Sequence, residues 1–370
     1  MNERKLEGGL KATLLKYAKR YFIDAMGAMA NGLFASLLIG TIIKTIGQQL
    51  GNLSAAPWVT DLAQSLVSIG DFASAASGCA MAVAIGYALK ADPLVLFSLA
   101  TVGYATNALG GAGGPLAVLI IGIVASEVGM LVSKKTRVDV LVTPMVTIVV
   151  GCGLALLIAG PIGNAAKSLD AIIEWATLQQ PFVMGVVISV VMGMILTLPI
   201  SSAAICAALG LTGLAGGAAV AGCCAQMVGF AVISFRENRW GGLVAQGLGT
   251  SMLQVPNIFR NVRIWIAPTL AAAITGPLAT CLFQLEMNGA AVSSGMGTCG
   301  MVGPIGVISG WFSPVEQALK KGAVAITPTA FQWVGLVLIC VVLPALLSWV
   351  INLGLRKIGW VKDGDMKLSV

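Results

Sequence analysis

The sequence predicts an all-α polytopic membrane protein of about ten transmembrane helices, and three observations predict it. Of 370 residues, 57% are hydrophobic and only 10% charged, where a soluble domain carries about 25% charged residues. Mean hydropathy is +0.93. Apolar runs recur at the length of about 20 residues that a helix needs to cross a bilayer. The chain also has no histidine. That excludes Ser-His and Cys-His nucleophilic catalysis, histidine metal sites and phosphohistidine relay. Binding and movement are the expected work, with no metal and no cofactor.

Six Lys/Arg lie within residues 3–20, where Leu6, Leu10, Leu14, Leu15 and Tyr17 recur at helical spacing. This predicts an amphipathic helix on the cytoplasmic membrane surface. Residues 1–20 are therefore set apart from a single transmembrane domain over 21–355 and a cytoplasmic tail over 356–370. The first apolar run is longer than the 7–15 residue core of a signal peptide. Ten spans are expected, at about 22–46, 72–89, 93–110, 115–133, 140–160, 181–199, 203–217, 218–234, 264–285 and 325–353. The two within 203–234 are short and rich in Gly and Ala, so one re-entrant hairpin is the alternative. Residues 52–69 and 164–180, each with a Trp, an acid and polar residues, read as interfacial helices.

Charge fixes the expected orientation. Of the 22 Lys/Arg, 17 lie in four patches, at 3–20, 134–137, 236–263 and 356–367. Alternating ten spans puts all four on one side, which the positive-inside rule makes cytoplasmic; both termini follow. The net charge of +7 is thereby accounted for without nucleic acid. The eight cysteines form no CxxC pair and read as small buried hydrophobes. No GxxxxGK[ST] loop is present, so nucleotide hydrolysis by this chain is excluded.

Two segments break the helical pattern. In residues 196–219, Pro199 interrupts a helix and Ser201 and Ser202 open the next. There they either cap free N–H groups or leave those groups to a hydroxylated or anionic ligand. In Ser293-Ser294-Gly295-Met296-Gly297-Thr298 and on to Gly306, five glycines and a proline exclude a regular spanning helix. Irregular backbone at membrane depth must be buried in protein or line a water-filled cavity; close packing through small residues is the simpler alternative. Polar residues inside spans are costly without a partner, and Asp24, Asn31, Asp71, Asn107, Glu127, Gln226 and Glu286 qualify. Of these, Asp24, Asp71 and Glu286 read as interfacial. The expected substrate-binding set is Asn107, Ser201, Ser202, Gln226, Ser294 and Thr298. The loop over 234–265 is too apolar to be merely solvated. It reads as a cytoplasmic gate carrying Arg236, Glu237, Asn238, Gln254 and Asn257, with an interfacial helix as the alternative.

The runs LPISSAA (198–204), GCCAQMVGFAVISFREN (222–238), GGLVAQGLGTSMLQVPNI (241–258) and GMGTCGMVGPIG (295–306) resemble the second enzyme IIC family of the bacterial phosphotransferase system, which includes perfringolysin O regulator-like membrane proteins. The resemblance covers nearly the whole chain. It implies a glucose–fructose–lactose enzyme IIC-like permease with ten spans, two re-entrant hairpins and a homodimer in the bacterial inner membrane. A small hydrophilic solute, a sugar or polyol, would cross by alternating access, with separate IIA and IIB phosphocarrier proteins as partners. Sugar-transporting relatives in the wider superfamily carry a Gly-Ile-Thr-Glu type hairpin motif. The nearest match here, Gly303-Pro304-Ile305-Gly306, has no acid. The second reading is accordingly a membrane sensor or regulator that keeps the fold without transport.

Overall fold

The computed structural model describes residues 17, 19–53 and 57–368, so the helix expected over 3–20 lies almost wholly outside the described residues. The described chain is helical apart from turns and one isolated backbone bridge between Gly213 and Met287. In chain order the main helices are α1 (Lys19–Gly51), α2 (Pro57–Ala75), α3 (Ser77–Ala88), α4 (Pro93–Gly110), α5 (Gly114–Val132), α6 (Asp139–Thr177), α7 (Pro181–Thr197) and α8 (Ser202–Ala208). They continue as α9 (Gly213–Ile233), α10 (Phe235–Val244), α11 (Val255–Arg260), α12 (Val262–Leu282), α13 (Ala291–Ser294), α14 (Val302–Phe312) and α15 (Ala330–Lys357). Prolines open α2, α4 and α7, where the missing N–H costs no helical bond.

Six helical runs among the described residues are long and apolar enough to cross a membrane, or seven if the pair α2 and α3, bent by 46°, is one span. The sequence led us to expect ten, and particular elements account for the difference. The unbroken apolar run Pro93–Val132 doubles back at Gly111, whose φ of 51° reverses the chain, so α4 and α5 pack along each other. Most of the segment expected to lie in the interface, from Pro57 on, belongs to α2, the first arm of the bent pair, and α2 packs lengthwise against the end of α1. The expected span over 203–217 is not a span: α8 has only 7 residues and ends at a turn with Gly210 at φ 55°. The single hairpin over 203–234 is not observed either, because α9 is a continuous helix of 21 residues.

The helices meet through small residues. A Cβ on Gly78 would strike the carbonyl oxygen of Gly103, and one on Gly103 that of Gly78, so α3 and α4 cross with their backbones in contact. Gly222 of α9 sits equally close to the Ser189 carbonyl of α7. This is the small-residue packing of membrane helices, where dispersion rather than water exclusion drives association. The interior holds several apolar clusters, of which those around the first helices and around α9 are the largest. One apolar core joins α1, α3, α4 and α5 to Met252 and Val255. The other surrounds α9, which is buried on all sides from Gly216 to Met227 and packs against α7, α12 and α15.

Candidate functional site

The two glycine-broken segments, 90 residues apart in sequence, meet on one side of α9. Ser201 caps α8, its side chain accepting from the Ala204 N–H at 3.3 Å, while its own N–H donates to the Ala112 carbonyl in the α4–α5 turn. The buried Ser202 hydroxyl crosses to the other segment and donates to the Gly295 carbonyl at 2.6 Å. In return the Ser294 hydroxyl donates to the Leu211 carbonyl at 2.7 Å. The backbones of Gly213 and Met287 exchange both N–H···O bonds at 3.0 Å. Serine hydroxyls thus satisfy carbonyls that the broken helices leave open, the requirement set by a water-poor interior. Gly295 must lack a side chain, since a Cβ would sit 2.5 Å from the Ser202 carbonyl oxygen. Gly297, at φ 53°, turns the second segment against the α9 backbone at Cys223.

Gln226, itself fully buried, belongs to a separate cluster. Its Oε1 accepts from the Trp265 indole at 3.0 Å and from Thr197 at 3.3 Å, and its Nε2 donates to Thr269 at 3.1 Å. The indole N–H can only donate, so it fixes the amide orientation. Thr197 also pairs with Ser251 at 2.8 Å. The cluster therefore ties α7, α9 and α12 to the loop at Ser251. Asn107 on α4 is half-buried and makes one long bond, to Ser77 at 3.4 Å. Thr298 contacts the Met227 sulfur at 3.7 Å and lines an apolar crevice.

The expected gate residues converge on the C-terminal tail. Asn238 donates to the Met366 carbonyl at 2.8 Å and accepts from the Leu368 N–H at 2.9 Å. Gln254 donates to the same Met366 carbonyl and to Gln246, and Asn257 donates to the Lys367 carbonyl and to Gln254. Glu237 pairs with Arg356 at 2.7 Å in a shielded setting, with side chains 7% and 13% exposed. Val361 and Met366 are buried by these contacts. Within the expected tail over 356–370, residues 360–368 form a strap whose last described residue, Leu368, packs on the core of the first helices. Arg236 alone of this set points away, exposed and without an ion pair among the described residues.

Beside the end of that strap lies a cavity of about 300 Å³ lined by Asp24, Gly27, Asn31, Tyr87, Pro256 and Leu368, among others. Asp24 and Asn31 sit two turns apart on α1. Both are exposed to the cavity, and neither side chain has a hydrogen bond among the described residues.

A family profile described as phosphotransferase system, EIIC, matches residues 23–368. The chain belongs to this second EIIC family. None of the curated proteins compared with it matches. EIIC proteins are the membrane-embedded permease components of the phosphotransferase system. In this EIIC chain, the structure brings Ser201, Ser202 and Ser294 together, whereas Asn107, Gln226 and Thr298 hydrogen-bond to other groups. Sequence reasoning missed Thr197, Trp265 and Thr269 as partners of Gln226 and Ser251 as the partner of Thr197. A lone Thr or Trp in an apolar run carries no local signal of a bond made to another helix. The signal for the cavity was present, since Asp24 and Asn31 stand out as polar residues in a span. Asp24, however, lies near the helix end and was assigned to the interface.

Proposed function

We propose that this EIIC chain moves a small hydrophilic solute, a sugar or polyol, across a bacterial inner membrane by alternating access. Ser201, Ser202 and Ser294 then bind the solute hydroxyls when the two broken segments part, with Asn107 at the adjoining α4 face. The observation that carries this reading is the exchange of hydroxyl-to-carbonyl bonds between the two segments. The same donors and acceptors that close the seam suit a polyol, which replaces each bond at little net cost. Asp24 and Asn31 would receive the solute on the way out, and the strap of residues 360–368 would set the width of that exit. Phosphoryl transfer, where it accompanies passage, would be supplied by separate IIA and IIB proteins, and this chain has no histidine to form a phosphohistidine. A homodimer is the assembly we expect.

The test is uptake of radiolabelled hexoses, pentitols and hexitols into vesicles containing the folded chain, with and without IIA and IIB proteins. Saturable flux of one solute, reduced at least about tenfold by Asp24→Asn with Asn31→Ala, supports the reading. No saturable flux for any solute with folded protein would reject it.

The sealed seam and the lack of an acid at Gly303–Gly306 favour one rival reading, a sensor that keeps the permease fold. Deleting the gene would then change transcription while leaving every solute flux intact.

A further inference from the structure

We propose that a second site, formed by α9, α10 and α15, holds one membrane phospholipid whose headgroup carries a hydrogen-bond donor beyond its phosphate. The site has two joined parts. The first is a cavity of about 260 Å³ whose walls are mostly apolar, among them Val232, Phe235, Leu243 and Trp349, with Arg236, Asn352 and Arg356 as its polar groups. The second is a crevice of about 290 Å³ that shares Val232 and Leu243 and is otherwise walled by residues such as Val228, Val244, Leu248 and Val341. A mouth with polar groups opening into an apolar slot matches a headgroup followed by an acyl chain. A hydrophilic solute has nothing to bond in the slot.

The polar groups define the headgroup. Arg356 is neutralised by Glu237 and Asp363, whereas Arg236 has no ion pair among the described residues and can take a phosphate. A guanidinium only donates, and its fork fits phosphate oxygens. Asn352 is 3% exposed, yet its Oδ1 has no hydrogen-bond partner among the described residues. A buried amide oxygen without a donor is rare and calls for a missing partner. An ethanolamine ammonium or a glycerol hydroxyl supplies that donor, and a choline headgroup has none. The position agrees with headgroup depth. The apolar helix α15 ends at Arg356 and Lys357, and Trp349 and Trp240 are both at least half exposed near this end, as aromatic belts are at the membrane surface.

The proposal needs only the membrane setting and does not rest on solute transport. The purified full chain in detergent is titrated with palmitoyl-oleoyl phosphatidylethanolamine, phosphatidylglycerol and phosphatidylcholine, and bound lipid is counted by native mass spectrometry. One ethanolamine or glycerol lipid retained per chain, at least about tenfold more tightly than the choline lipid, is the expected result. Arg236→Ala should weaken all three, with recovery in Arg236→Lys. Asn352→Leu should abolish the preference over choline while leaving the unfolding temperature close to that of the wild type. Val244→Trp, which fills the slot, should lower occupancy of every lipid. Equal retention of all three lipids by the wild type would overturn the headgroup assignment. Displacement of lipid by acyl-free glycerophosphoethanolamine or inorganic phosphate at equal concentration would overturn the two-part site.

Discussion

The seam between the broken segments and the cavity beside α1 both place polar side chains in an apolar chain, and they use them in opposite ways. At the seam, Ser202 and Ser294 each donate to a carbonyl on the opposing segment. At the cavity, Asp24 and Asn31 face open space and bond to nothing among the described residues. The seam thus owes its closure to its polar groups, whereas the cavity gains no stability from its own. The difference teaches that a polar residue in a membrane span is not by itself a ligand group. The deciding quantity is whether another part of the chain has already satisfied it.

The largest expected effect breaks the seam. Gly295→Val puts a branched side chain onto the Ser202 carbonyl, so the segments cannot close and stability should fall by about 3 kcal/mol or more. Thermal unfolding in detergent micelles measures it. Second is the strap, where Asn238→Leu removes both bonds to Met366 and Leu368. A loss of about 2 kcal/mol, read as faster hydrogen exchange over residues 360–368, is expected. Third, Ser202→Ala leaves the Gly295 carbonyl unpaired and should cost about 1 kcal/mol. The Ser202→Ala/Ser294→Ala double variant should depart from additivity, since both bonds close one interface.

Fourth, Asp24→Asn should leave the unfolding midpoint within about 0.5 kcal/mol of the wild type while lowering uptake. A large stability loss there would erase the contrast between seam and cavity. The smallest effect lies outside both regions. A hydrogen bond from Lys134 holds the exposed Asp92 carboxyl below its usual range. Its small contribution is therefore present above the unfolded carboxylate pKa of about 3.9 and disappears as pH falls through the lower folded value. The midpoint difference between wild type and Asp92→Asn should shrink on acidification below about pH 4.

Much of this contrast was legible in the sequence, and the remainder has a physical reason. Pro199, Gly297 and their neighbours announce broken helices because glycine and proline act on the local backbone. Apolar helices stand where 93–110, 115–133 and 181–199 predict them, as α4, α5 and α7, although α7 is too short to be among the six membrane-length runs. The partners of Ser202 and Ser294, by contrast, are backbone carbonyls 93 and 83 residues away, and a carbonyl has no residue identity to read. The strap was illegible for the same reason: Asn238, Gln254 and Asn257 bind main-chain atoms of residues 366–368. The packing of α2 on α1 was illegible too, because a half-polar helix fits an interface as well as the arm of a bent pair.

The central claim is that the seam is the element that opens for the solute, and the native cysteines report on it without mutation. Cys206 follows Ser202 on α8 and Cys299 follows Gly297 in the second segment; both are at most 1% exposed. Cys224, at the centre of α9, is equally buried, and Cys281 is exposed. The measurement is maleimide labelling of vesicle-borne protein, mapped by mass spectrometry, with and without the transported solute. Labelling of Cys206 and Cys299 only while solute is moving, with Cys224 protected and Cys281 labelled throughout, is the expected result. Cys206 and Cys299 remaining as protected as Cys224 during verified uptake would contradict the account.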